Sequence, residues 1–106
     1  MDAPHYSISA VAGMQYRPDW PKVQGRIRDK AVLKLEAEPG NKHDPFAVKV
    51  FFEGTHIGYL PRHDSERVSK LLKRGIRVEA TVSYRPAMRL RLAWREHDAD
   101  PDDWLR

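Results

Sequence analysis

Asn41, His43 and Asp44 fall within four residues of one another, in a loop bounded by Pro39 and Pro45. Asparagine offers both donors and acceptors, whereas an ionised aspartate only accepts. Such an acceptor suits a hydroxyl group or the donor edge of a base. It suits a phosphate poorly, because the two anions repel. The plainer alternative is an Asx-type turn, in which Asn41 and Asp44 satisfy their own backbone. Both readings stay open on the residues alone.

Stacking is the second chemistry on offer. Tyr16 adjoins Arg17, Tyr59 stands near Arg62, and Tyr84 adjoins Arg85, each pair at the end of a predicted strand. Exposed rings beside cations hold single-stranded nucleic acid, with bases on the rings and phosphates along the cations, at about 1–3 kcal/mol per stacked base. Most rings in so small a domain are core, and Tyr6, Trp94 and one of Phe51 or Phe52 are expected there. Arg77 and Arg85 share the polar face of one predicted strand, and Arg89, Arg91 and Arg95 that of the next. Paired, the two strands would form a ladder of five cations and bind in a salt-sensitive way. The bland alternative is a solvated sheet face.

Metal and covalent chemistry find little support. His5, His43, His56, His63 and His97 include no pair spaced as ligands on one helix face, and the chain has no cysteine. His43-Asp44 and His63-Asp64 are the pairs that could contribute to a divalent-metal site. A phosphate-cradling glycine loop and a nucleophile elbow are both missing. The expectation is a non-enzymatic protein with neither cofactor nor metal.

The elements that would position these groups are short. Residues 6–16 read as a strand, interrupted by Arg17-Pro18-Asp19-Trp20-Pro21, since proline has no place in a central ladder. Residues 29–38 alternate, with Leu33, Leu35 and Ala37 inward. The polar loop follows at 39–45. Next come an apolar strand at 46–52, a hairpin turn at Glu53-Gly54 and a return strand at 55–60. Residues 63–74 form the one convincing helix, with Val68, Leu71 and Leu72 on one face and Asp64 and Glu66 at the positive end of its dipole. Gly75 stops it. Strands at 76–84 and 89–95 close the pattern. The fold class is therefore mainly β (α+β), a small curled β-sheet or barrel.

Length and charge agree. At 106 residues the chain makes one domain, expected at 1–95, with an acidic and disordered tail at 96–106. The net charge of +4 is unevenly spread: about +1 over residues 1–61, +7 over 62–95 and −4 over the tail. The basic segment suggests an anionic partner, nucleic acid first. No apolar run approaches the roughly 18 residues that span a membrane, and no signal peptide is visible. Together with the lack of cysteine, this leads to the expectation of a cytoplasmic, monomeric protein.

These pieces resemble a known family. Leu35-x-x-Glu38-Pro39-x-Asn41-x-x-Asp44-Pro45-x-Ala47-Val48-x-Val50, then Gly54-x-x-Ile57-Gly58-Tyr59-Leu60-Pro61, then a helix ending Leu71-Leu72-x-x-Gly75, is similar to the core of a HIRAN domain. The resemblance runs from about Ser7 to Arg95. It implies a mainly β fold with one or two helices, a small OB-like or SH3-like β-barrel, that serves DNA repair or fork remodelling and captures the 3′ end of single-stranded DNA. Asp44 would accept from the terminal 3′-hydroxyl, supported by Asn41. Tyr16 would stack on a base, with Gln15 and Arg17 beside it, and Tyr84 would lie near another ring position. His43 stands where the family often has Tyr, Tyr59 where some members have His, and Gln15 where Arg can occur. With the ring–cation pairs and the arginine face added, the expected DNA-binding set is Gln15, Tyr16, Arg17, Asn41, His43, Asp44, Tyr59, Arg62, Tyr84, Arg85, Arg89 and Arg91. Single-stranded DNA is the implied partner, with a separate helicase or nuclease a possible second. A peptide-binding barrel and a metal-dependent nucleic-acid enzyme are the alternative functions.

Overall fold

The computed structural model describes residues 4–84 and 88–95. Alternating side chains set its six strands: β1 (His5–Ser9), β2 (Val32–Ala37), β3 (Val48–Phe52), β4 (Thr55–Tyr59), β5 (Val78–Ser83) and β6 (Arg89–Trp94). They form one antiparallel sheet in the order β1-β6-β5-β2-β3-β4. One row of each strand turns inward. Leu33 and Leu35, Val48 and Val50, Val78, Ala80 and Val82, and Leu90 and Leu92 make a single buried core.

That order places β1 and β4 at opposite edges. Just beyond β1, however, Ala12 donates to the Tyr59 carbonyl at 2.7 Å and accepts from the Tyr59 N–H at 3.0 Å. The sheet therefore curls until its edges meet at one bridge. Gly58 allows the approach: a Cβ there would lie 2.5 Å from the Ala12 carbonyl oxygen and 2.6 Å from Val11 Cγ1. The expected class stands, mainly antiparallel β with two short helices, and among the described residues the edges bridge at this contact.

Helix α2 (Arg62–Lys73) buries Val68 and Leu71 in the core. It ends in a Schellman arrangement, with Gly75 at φ 83° and its N–H on the Leu72 carbonyl, and the Ile76 N–H on the Leu71 carbonyl, both at 3.0 Å. Its first turn is fastened to β1 by Asp64, which is buried and accepts from Ser9 Oγ at 2.5 Å. His63 and Arg67 reach the same carboxylate at 3.2 and 3.4 Å. Arg67 also donates to Ser7 Oγ and lies over the Trp94 ring at 5.3 Å.

Four expectations need correction. The first strand stops at Ser9. Gly13 turns the chain at φ 77° into a 3-10 turn over Met14–Tyr16, so Tyr16 sits on a turn and not on a strand end. The proline-rich interruption contains a one-turn helix, α1 (Trp20–Val23), because proline is tolerated in a first helical turn. Phe46 precedes β3 and is half-buried, with Lys70 Nζ 5.6 Å from its ring centre. Tyr6, expected in the core, is 54% exposed, because the register of β1 on β6 turns it to the outer face beside Ala93. Phe52 and Trp94 are buried as expected.

Candidate functional site

The loop between β2 and β3 is built by its own polar side chains. Asn41 Oδ1 accepts from the His43 and Asp44 N–H groups at 2.8 and 3.0 Å. Asp44 Oδ1 accepts from the Phe46 N–H at 2.9 Å. The Asx-turn geometry is therefore present, but it does not consume the ligand-binding capacity. Among the described residues, nothing engages Asp44 Oδ2. The turn fixes where that free acceptor lies.

Beneath the loop sits Glu38, a hub that the sequence marked only as part of a motif. Its Oε1 accepts from Asn41 Nδ2 at 2.6 Å and from the Tyr59 hydroxyl at 3.0 Å. Its Oε2 pairs with Lys49 Nζ at 2.9 Å. The Asn41 hydrogen bond above all, then the one from Lys49, holds the Glu38 carboxyl down to about 2, against an ordinary 4.5. Lys49 is raised in turn by its bond to Glu38. Burial, followed by the bond to Glu38, raises the Tyr59 phenol. Glu38 thus ties the loop residue Asn41 to the β4 residue Tyr59.

Tyr59 continues the network. Its ring meets His56 edge-on at 4.9 Å, and His56 lies against Phe51 at 5.3 Å. Burial first, then the nearby Arg17 charge, lowers the His56 pKa, so its ring stays neutral near pH 7. The Nε of Arg17 is buried without a hydrogen-bond partner among the described residues.

A cleft of about 360 Å³ opens between these elements, lined by Ala12, Asn41, His43, Asp44, Tyr59 and Arg62, among others. Arg62 donates to the His43 carbonyl at 3.2 Å, closing one side. Gly13 also lines the cleft and carries Tyr16 next to it, at 80% exposure. Gln15 is exposed on the same 3-10 turn. The fold therefore brings Asn41, His43, Asp44, Tyr59 and Arg62 together around the cleft, while Gln15, Tyr16 and Arg17 follow Gly13 on the 3-10 turn and do not line it.

Other expected site residues lie elsewhere. Tyr84 does not line the cleft; it packs half-buried on the core, with its N–H on Asp29 Oδ1 at 3.2 Å. Arg89 and Arg91 stand on the outer face of β6, and Arg85 lies outside the described residues. The arginine ladder is interleaved, since Arg91 faces Thr81, Arg89 faces Ser83 and Ala93 faces Glu79. Among the described residues, no group of three His, Asp or Glu could hold a metal ion. Asp64, half of one suspected pair, is committed to Ser9 and Arg67.

A model of the HIRAN domain matches residues 5–95. The chain belongs to the HIRAN domain family. Two solved structures are similar in fold. One is a crystal structure of a protein from Lactobacillus plantarum, 24% identical, with a TM-score of 0.74, covering 90% of this chain and 97% of that one. The other is the HIRAN domain of human HLTF, 20% identical, with a TM-score of 0.70, covering 85% and 74%. At these identities the likeness shows the fold. No curated protein matches the chain significantly. In HIRAN terms, the match takes in both the Asn41–Asp44 loop and the basic β5–β6 segment, so cleft and outer face belong to one module.

Proposed function

We propose that the protein is a non-enzymatic DNA-binding module that takes single-stranded DNA by a free 3′-hydroxyl end. The observation that carries this reading is the open Oδ2 of Asp44, held by an Asx turn at the edge of a cleft that Tyr59 and Arg62 share. A carboxylate oxygen needs a donor from its ligand, and a terminal hydroxyl supplies one. Membership of a family of DNA-binding modules supports a nucleic-acid role.

In this reading each residue has a distinct task. Asp44 accepts from the hydroxyl, and Asn41 keeps Asp44 in place. Tyr16, exposed on the turn that follows the cleft residue Gly13, stacks on a terminal base. Arg62 and Arg17 supply positive charge for the last phosphates, and His43 offers an exposed polar edge on the loop. The chemistry is recognition, with no bond made or broken. Service in repair or fork processing, beside a separate motor or nuclease, is consistent with such a reader.

Fluorescence anisotropy tests the reading, using one labelled strand ending in a 3′-hydroxyl and the same strand ending in a 3′-phosphate. The hydroxyl end should bind at least about tenfold tighter, the worth of one hydrogen bond to a charged group. Asp44→Asn should abolish most of that preference. Equal binding of both ends by the wild type would refute end recognition.

A further inference from the structure

The outer face of the sheet carries a second concavity that the end-binding reading leaves unused. It is a groove of about 400 Å³ lined by Tyr6, Arg77, Glu79, Thr81, Arg91 and Arg95, among others. Among the described residues that line it, Arg77 and Arg91 lie on either side of Thr81 and Glu79.

The same outer face also carries exposed apolar side chains beyond the groove. Ile8, Arg91, Thr81 and Val32 form one row across four strands, from the register of β1 on β6, β6 on β5 and β5 on β2. Ile8 and Val32, at the two ends of that row, are 64% and 72% exposed. In the neighbouring row Tyr6 stands beside Ala93, with the Arg91 guanidinium over its ring at 4.3 Å from the centre. The guanidinium covers one side of the ring, and the ring remains more than half exposed. A ring braced by a cation, with flat aliphatic surface and further cations around it, is the pattern that takes a base and its phosphates.

The groove and the cleft lie toward opposite ends of one stretch of chain. Tyr6 lines the groove and Ala12 lines the cleft. At strand rise, residues 6–12 span at most about 20 Å. A short strand covers that distance within the roughly 4–16 nucleotides that one OB-type fold contacts. Arg89 and Arg91 follow each other along the outer side of β6.

We propose that this outer face is a second single-stranded nucleic-acid subsite, which takes the part of the strand lying 5′ of the captured end. The inference rests on the end-binding reading. Tyr6 stacks on a base, and Arg77 and Arg91 meet its phosphates. The subsite makes affinity depend on strand length, while the cleft makes it depend on the end.

The test uses 5′-labelled oligothymidylates of about 4 and about 12 nucleotides, each with a 3′-hydroxyl or a 3′-phosphate. Wild type, Tyr6→Ala and Arg91→Gln are compared. These positions are exposed, so both variants should fold, and circular dichroism verifies that they do. The face variants should bind the long strand about 5- to 100-fold more weakly than wild type, with the short strand and the hydroxyl preference unchanged. Arg91→Gln should also flatten the dependence of log affinity on log salt by about 0.7 for the long strand. Unchanged binding of the long strand by both variants would overturn the subsite. So would preferential capture of a poly-glutamate peptide over either strand, which would make the face a protein-docking surface. A wild type that discriminates ends but gains nothing from length removes the subsite and leaves end reading intact. One that gains from length but ignores the end keeps the basic face and removes the end reading.

Discussion

Glu38→Gln is the most discriminating single change, because it keeps the side chain's size while removing its charge and turning one acceptor oxygen into a donor. Three donors converge on this carboxylate: Asn41 Nδ2, Tyr59 Oη and Lys49 Nζ, at 2.6, 3.0 and 2.9 Å. The group titrates near 2 in the fold against 4.5 ordinarily. Linkage bounds the charge's contribution to stability at about 3 kcal/mol. The side chain is 25% exposed, so solvent screening brings the expected value to about 1–2 kcal/mol. The sign follows from the depressed pKa. The stabilisation is fully present above about pH 4.5 and is lost as pH falls through about 2. Urea denaturation of wild type and variant from neutral pH down to acid should show a gap of about 1–2 kcal/mol at neutral pH that closes toward the acid end. A gap that stays constant across that range would show that the charge of Glu38 is not what holds the loop. Glu38→Ala, which also removes the acceptor, should loosen Asn41 and Tyr59 together and weaken the preference for a hydroxyl end.

Three further outcomes follow from the same geometry. Gly58→Ala would push a Cβ into the Ala12 carbonyl, so it should cost about 1–3 kcal/mol in urea denaturation, whereas alanine at the open position Gly40 should change little. Ser9→Ala would leave the buried Asp64 carboxylate short of its 2.5 Å donor and should cost about 1–3 kcal/mol, with Ser9→Thr recovering part of it in the same assay. The His56 pKa is lowered by burial, so its neutral form is the folded one; stability should decline as pH falls below about 6.5, and His56→Phe should remove that part of the decline in thermal melts.

The sheet was legible because its strands alternate, and α2 because its apolar face, dipole charges and terminal glycine agree. The loop was legible because Asn41 and Asp44 are residue types that bond to nearby backbone. Three features had no local signal. The fold of residues 13–26 depends on Gly13 taking a left-handed conformation and on Pro21 falling in a first helical turn, neither of which hydrophobic periodicity reports. The exposure of Tyr6 depends on register, and a one-residue slip would have turned it inward. Glu38 looked like one more polar position of an alternating strand, since its partners Lys49 and Tyr59 are distant in sequence and only strand pairing brings them together.

In this loop the structural turn and the proposed contact with a hydroxyl need not compete. A carboxylate has two oxygens, and the Asx turn uses one. Asp44 Oδ1 is spent on the Phe46 N–H, and that bond fixes the direction in which Oδ2 points. Asn41 is used more fully: its Oδ1 takes two backbone N–H groups and its Nδ2 is held by Glu38. Asn41 should therefore act as a positioning residue and Asp44 as the contact. Asn41→Ala frees two N–H groups and the Glu38 acceptor and should destabilise the fold as well as weaken binding. Asp44→Asn retains an Oδ1 for the Phe46 N–H and replaces the ligand-facing acceptor with a donor-bearing group. It should leave stability within about 1 kcal/mol of wild type while removing the preference for a hydroxyl. If denaturation and end-preference measurements gave both substitutions the same balance of effects, the division of labour between the two residues would be wrong.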